Sequence, residues 1–250
     1  MVGPSHMTLN GLRRRLGLTL SLAALLGGLT ACGGTASSGK DKSYADESPK
    51  KILADAKASM SSLKSVHLSG TGIDGGEEMK IDMTVSTAGD CTGTIGTPDG
   101  EMTLLVVDGK AWFKADRAFW EANAGGDADA VLAMVGKKWV AGGDDIGDLT
   151  ALCDWDELSG EFLELLVPST IEGLTIKKSK DQVDGQPVIK LEDRSSEQGT
   201  IYVQAEEPHY VVKVSNTGEE AADVTFSAFD EPTEIVAPKP RQQIDFENMG

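Results

Sequence analysis

EEMKIDMTVS, residues 77–86, alternates apolar and polar side chains from Met79 to Val85 without a break. Met79, Ile81, Met83 and Val85 fall on one face of an extended chain, and Lys80, Asp82 and Thr84 fall on the other. A helix would scatter the two sets around its circumference, because its side chains repeat every ~3.6 residues rather than every second one. The stretch is therefore a strand with one buried and one wet face, the pattern of an antiparallel sheet. Downstream, MTLLVVDGKAWFKA (102–115) sets Asp108-Gly109 between two β-forming runs, which is the turn chemistry of a tight hairpin. Residues 174–178, 183–191 around Asp184-Gly185, 200–204, 210–215 and 224–229 continue the theme.

Upstream, SPKKILADAKASMSSLKSVHLSG (48–70) opens with Ser48 and Pro49, suited to an N-cap and a first helical position. Ile52, Leu53, Ala56, Met60 and Leu63 share one helical face, and the helix is expected to end near Lys64, where Val66, Leu68, Gly70 and Gly72 switch to a strand pattern. Between the two β regions, DADAVLAMVG (127–136) and DLTALCDWDELSGEFLELL (148–166) have helical spacing through Leu149, Leu152, Leu158, Phe162, Leu165 and Leu166, with Pro168 closing the second. Strands, a helical interlude and further strands on short turns give an α+β fold with an antiparallel sheet. Residues 49–238 are read as one domain and 239–250 as a frayed tail.

The N-terminus reads differently. Arg13, Arg14 and Arg15 precede an apolar run over residues 16–29, followed by Leu29-Thr30-Ala31-Cys32. A basic stretch, a short apolar core and small residues form a secretory signal, here residues 1–31, with Met7 an alternative start. The apolar core falls short of the ~20 residues that a spanning helix needs. The last four residues resemble a bacterial lipobox, which implies a diacylglycerol thioether on Cys32 and cleavage before it. The alternative is cleavage at Ala31 and a free thiol. Residues 32–48 then form a polar tether, in which Tyr44 is the one large side chain.

Removing residues 1–31 from the 250 leaves 219 residues with 20 basic and 40 acidic side chains, a net charge near −20. Such a surface repels phosphate backbones, which argues against a nucleic-acid partner, and it repels anionic lipid, so membrane attachment rests on acyl chains. Cys91 and Cys153 remain as an even pair in an exported chain, which favours a disulfide over two buried thiols or a metal site. Metal binding needs three or four ligands, and His67 and His209, the only histidines after Cys32, do not sit near either cysteine. Asp144, Asp145 and Asp148 in AGGDDIGD form a candidate Ca²⁺ loop, but their spacing misses the EF-hand pattern and fits a solvated loop. No nucleophile elbow, zinc-protease or phosphate-loop motif occurs, and His67 between Val66 and Leu68 reads as structural. The sequence carries no catalytic residue set and implies no cofactor.

Met79, Met83, Met102, Met134, Trp112, Phe119, Trp120, Trp139 and Trp155 gather between residues 79 and 155. This is core material, and also the material of an adaptable apolar pocket. Lining candidates for such a pocket are Met79, Ile81, Met83 and Val85 with Leu104, Val106 and Trp112, Phe113 being the alternative to Trp112.

The lipobox and tether, SVHLSG (65–70), VDGKAWFKA (107–115), GKKWV (136–140), VDGQPVIKL (183–191) and FSAFDEPTEIVAP (226–238) together resemble the actinobacterial LppX/LprG-type envelope lipoproteins, which are related in fold to the periplasmic carrier LolA. The resemblance spans about residues 48–238. It implies a curved antiparallel half-barrel with helices across its concave side, and a space there that holds acyl chains of lipids or glycolipids in several members. It carries over no catalytic motif, and the Cys91/Cys153 pair and high acidity depart from it. The reading is a lipid-anchored protein on the extracytoplasmic face of the cell membrane that binds an apolar ligand as a lipid carrier or chaperone. The alternative is a non-enzymatic module with a filled core that binds another envelope protein. Cys32→Ala is expected to move the protein from the membrane to the soluble fraction and to abolish palmitate labelling; unchanged partitioning would contradict the anchor.

Overall fold

In the computed structural model the described residues are 43–142, 150, 153–156, 158–160, 176–193, 199–218 and 221–245. The signal segment, Cys32, the Asp144/Asp145/Asp148 loop, Leu174 and most of the second helical insert, from Leu149 and Leu152 to Pro168, lie outside them. Among the described residues no helix is long and apolar enough to cross a membrane.

Twelve strands form one sheet: β1 (Ser65–Asp74), β2 (Glu77–Ser86), β3 (Cys91–Thr97), β4 (Gly100–Val107), β5 (Lys110–Ala115), β6 (Trp139–Ala141), β7 (Ile176–Val183), β8 (Gln186–Asp193), β9 (Thr200–Gln204), β10 (Val211–Asn216), β11 (Ala222–Ser227) and β12 (Gln243–Ile244). Their spatial order is β12-β6-β5-β4-β3-β2-β1-β11-β10-β9-β8-β7. Every ladder is antiparallel except β12 on β6. The sheet consists of two meanders, β1–β6 and β7–β11, joined where β1 pairs with β11. Asp108 and Gly109 both take positive φ (51° and 70°), which matches the twist of a two-residue hairpin turn between β4 and β5. Asp184-Gly185 does the same between β7 and β8, so the run read as 183–191 is split by its turn.

Helix α1 (Pro49–Ser61) begins as its sequence dictates, with the Ser48 hydroxyl accepting from Lys51 N at 3.2 Å. It buries Ile52, Leu53, Ala56 and Met60, while Leu63 packs from the link beyond its end. These side chains share one apolar cluster with Leu104 of β4 in one meander, and with Ile189 of β8, Val203 of β9 and Val211 of β10 in the other. At ~4.8 Å between neighbouring strands, β4 and β8 would stand roughly 34 Å apart in a flat sheet, whereas α1 is only about 20 Å long. The sheet therefore curves around α1, which lies across its concave face. Helices α2 (Arg117–Ala124) and α3 (Ala128–Val135) build a second cluster of Trp120, Ala128 and Val135 on Phe113 and Val140. The α2 helix and strands β3, β6 and β12 add elements that the sequence patterns left out.

Two boundaries shift from their expected places. Tyr44, assigned to the tether, stacks on His209 with ring centroids 3.6 Å apart and donates to Asp55 Oδ2 at 3.1 Å. Burial, then the Asp55 carboxylate, raises its pKa well above the usual tyrosine range. The fold thus starts before residue 49. At the other end, Gln243 and Ile244 pair with Trp139 and Val140, so the segment read as a frayed tail contributes the last strand. A parallel partner far along the chain leaves no local signal.

Cys91 and Cys153 are bridged, with Cα atoms 5.3 Å apart and a sequence separation of 62, and both are fully buried. The bridge ties the helical insert to β3. Closing a loop of this length is worth roughly 4 kcal/mol in the chain-entropy picture. Reduction, or the Cys91→Ala/Cys153→Ala pair, is expected to lower the unfolding free energy by about that amount in urea titrations. A midpoint indifferent to reductant would contradict this.

Candidate functional site

Register sorts the inner-face residues into cross-strand rows. The first runs Val66–Val85–Cys91–Val106–Ala111, each at most 9% exposed. The second runs Phe226–Leu68–Met83–Gly93–Leu104–Phe113; Leu68, Met83, Leu104 and Phe113 are buried and Phe226 is half-buried. The third runs Val224–Gly70–Ile81–Ile95–Met102–Ala115, and every member is half-buried. In the fourth, Ala222, Gly72 and Met79 stand side by side, again half-buried. The inner face is therefore filled next to α1 and the disulfide and becomes progressively open away from them.

Glycine makes the opening. Gly70 and Gly72 of β1 sit between Val224 and Ala222 on β11 and Ile81 and Met79 on β2; a Cβ on Gly70 would run into the Asp223 carbonyl of β11, so backbone closes row three there, whereas a Cβ on Gly72 would meet nothing closer than 3.9 Å and row four stays open. The result is an apolar trough along β1, walled by valine, isoleucine and methionine. A cavity of about 330 Å³ near Gly72 opens mainly on the opposite face, between Thr71, Ile73, Glu78, Ser215 and Asp223. In row two, unlike at Gly72, the glycine is covered: a Cβ on Gly93 would fall 2.6 Å from Met83 Cγ, so the Met83 side chain lies directly over it.

The seven candidate residues divide accordingly. Met79 and Ile81 line the trough, joined by Ile95 and Met102, which the strand pattern of β2 and β4 alone did not single out. Met83, Val85, Leu104 and Val106 belong to the packed core, at 3% exposure or less. Trp112 is on the other face. It pairs with Leu105, and its Nε1 donates to Gln243 Oε1 at 2.6 Å, while Phe113 takes the inward position opposite Leu104. The reason is chemical as well as geometric: alternation permits only one of the two adjacent rings inside, and the indole N–H finds its acceptor only outside.

The outer face is polar. His67 lies there, with Nδ1 3.2 Å from Thr84 Oγ1 and Nε2 3.8 Å from Asp82 Oδ1, in keeping with a structural role. Lys213–Asp223 and Lys190–Glu192 pair across or along neighbouring strands at 2.8 and 3.1 Å. Among the described residues no group of three or more His, Cys, Asp or Glu side chains is arranged to hold a metal ion. Two buried side-chain donors on the helical insert, Trp155 Nε1 and Ser159 Oγ, have no hydrogen-bond partner among the described residues. They sit one helical turn apart, and Trp155 belongs to the core cluster under α1.

This open, curved sheet with a helix across its hollow can be compared with solved structures. The chain has the fold of LprF and LppX. For LprF from Mycobacterium bovis the TM-score is 0.52 with 18% identity, over 76% of this chain and 96% of LprF. For the Mycobacterium tuberculosis lipoprotein LppX it is 0.50 with 15% identity, over 75% of this chain and 98% of LppX. No protein-family model and no curated protein sequence matches this chain. The expected resemblance to LppX/LprG-type lipoproteins thus holds at the level of fold, and the α+β half-barrel is the observed architecture.

The row structure fixes what substitutions do. Met83→Asp places a carboxylate in the filled part, where an unpaired charge costs several kcal/mol, a large share of a typical domain's stability. Ile81→Gln, two residues along and half-open, is expected to cost no more than about 1 kcal/mol. Circular dichroism with urea titration separates the two, and equal costs would contradict the packed-to-open gradient.

Proposed function

We propose that this chain is an exported lipoprotein, anchored through lipid on Cys32 to the extracytoplasmic face of the cell membrane, that binds acyl chains of a lipid or glycolipid as a carrier or chaperone. The observation that carries the reading is the trough. Apolar side chains in rows three and four stay half-exposed on the concave side of a sheet whose first two rows are packed to completion. Leaving Met79, Ile81, Ile95, Met102 and Val224 in contact with water forgoes roughly 25 cal/mol for each Å² of apolar surface, and an acyl chain laid over Gly72 between them would recover part of that term. The methionines at its edge adapt to different chain shapes. The fold shared with the lipoprotein LppX agrees with this role.

The packed rows favour the alternative, an envelope module that binds another protein, only for the part of the interior beneath α1. The two readings part at Gly72, where a new Cβ meets nothing closer than 3.9 Å and a side chain can enter the trough without displacing backbone. Full-length chain carrying Cys32→Ala is titrated with a fluorescent fatty-acid probe. Gly72→Phe is expected to keep the circular dichroism spectrum and weaken probe binding roughly tenfold. Unaltered binding by the folded variant, or no binding by the parent, would contradict the carrier.

A further inference from the structure

A cavity of about 630 Å³ lies away from the trough, at the ends of β8–β11, and none of the seven candidate residues lines it. Gln204, Thr225 and Ser227, from the polar face of the sheet, meet there the turns at 184–187, 206–210 and 228–231. Tyr210, Val212 and Phe229 give it apolar walls, and Asp184, Glu206, Glu207 and Glu231 its exposed rim; no lining residue is Lys, Arg or His. The volume is that of a small-molecule site.

The walls are held by the rest of the fold. Tyr210 and Phe229 stack with centroids 4.3 Å apart at 20°. Tyr210 Oη donates to Asp230 Oδ2 at 2.9 Å, and Asp230 Oδ1 accepts from Lys64 N at 2.6 Å, which fixes the ring. The Lys64 amide, foremost, and the Tyr210 hydroxyl hold the Asp230 carboxyl below the usual carboxylate range. The turn at 206–209 is tied down by the stack of Tyr44 on His209 and by Ser59 Oγ donating to Pro208 O. Ala228, in the wall, and His209 beside it take positive φ of 48° and 63°, conformations that non-glycine residues keep only where their surroundings enforce them.

The rim carboxylates are not tied down in this way. Among the described residues no ion pair includes Asp184, Glu206, Glu207 or Glu231. An anion entering the cavity meets four negative charges. A neutral apolar molecule covers the walls but leaves those charges facing one another across its mouth. A cation with an apolar body covers the walls, neutralises the rim and gains the attraction of a positive charge for the faces of Tyr210 and Phe229. We propose that this cavity binds a molecule joining an ammonium group to an apolar chain or ring, at a site independent of the trough.

The test uses the full chain carrying Cys32→Ala, with octyltrimethylammonium as probe and octyl sulfate and octanol as controls, followed by calorimetry. One ammonium probe is expected to bind saturably per chain, and octyl sulfate is not. Glu206→Gln/Glu207→Gln/Glu231→Gln should weaken the probe roughly tenfold. Glu77→Gln/Asp99→Asn/Asp127→Asn removes the same charge elsewhere and should change binding by no more than about twofold. Ser227→Trp, which fills the cavity from its polar wall, should abolish binding, whereas Gly72→Phe should leave it intact and so separate this site from the trough. Equal weakening by both triple variants would show that the field of the acidic chain, not the cavity, attracts the probe. Unchanged binding by folded Ser227→Trp would also overturn the proposal; should that variant not fold, the two triple variants decide it.

Discussion

Burial of Ile52, Leu53, Ala56 and Met60 against strands of both meanders is the contact on which the rest of this molecule depends. The two meanders share the ladder of β1 on β11, and the cluster beneath α1 draws buried side chains from both. Each buried aliphatic side chain contributes roughly 1.5–3 kcal/mol, so the helix face is comparable in weight to the net stability of a domain. Curvature follows, because both wings must reach one helix about 20 Å long. The disulfide between Cys91 and Cys153 pins the same end of the hollow. What is filled and what is open on the concave side is then settled by distance from α1 and the bridge.

The elements that could be read from sequence are those with local causes. Alternation in 77–86, the Asp-Gly turns, and Ser48-Pro49 ahead of an apolar helical face each place a strand, hairpin or helix without outside help. Strand β3, CTGTIGT, escaped because threonine and glycine at alternate positions offer little apolar contrast. The β12–β6 pair escaped because its partners lie about a hundred residues apart, and the side of the sheet taken by Trp112 depended on that pair through Gln243. The trough was half legible. Met79 and Ile81 were in the pattern, but the opening beside them comes from Gly72, and a glycine in a strand discloses its neighbours only when the register is known.

Two apolar recesses with different electrostatics result. The trough has uncharged walls on the concave face, whereas the 630 Å³ cavity couples aromatic rings to a rim of carboxylates. Acidity therefore acts differently in the two places. It is remote from the trough's walls and dominates the cavity's mouth, so a ligand's charge, rather than its apolar part, decides between them.

Native mass spectrometry of the full chain, released from the membranes of its own host, tests the central claim most directly. The account predicts a population heavier than the lipidated polypeptide by the mass of an acyl-bearing molecule, shed on collisional activation and recovered in an organic extract. A spectrum with only the mass of the lipidated chain, together with an extract free of lipid, would contradict it.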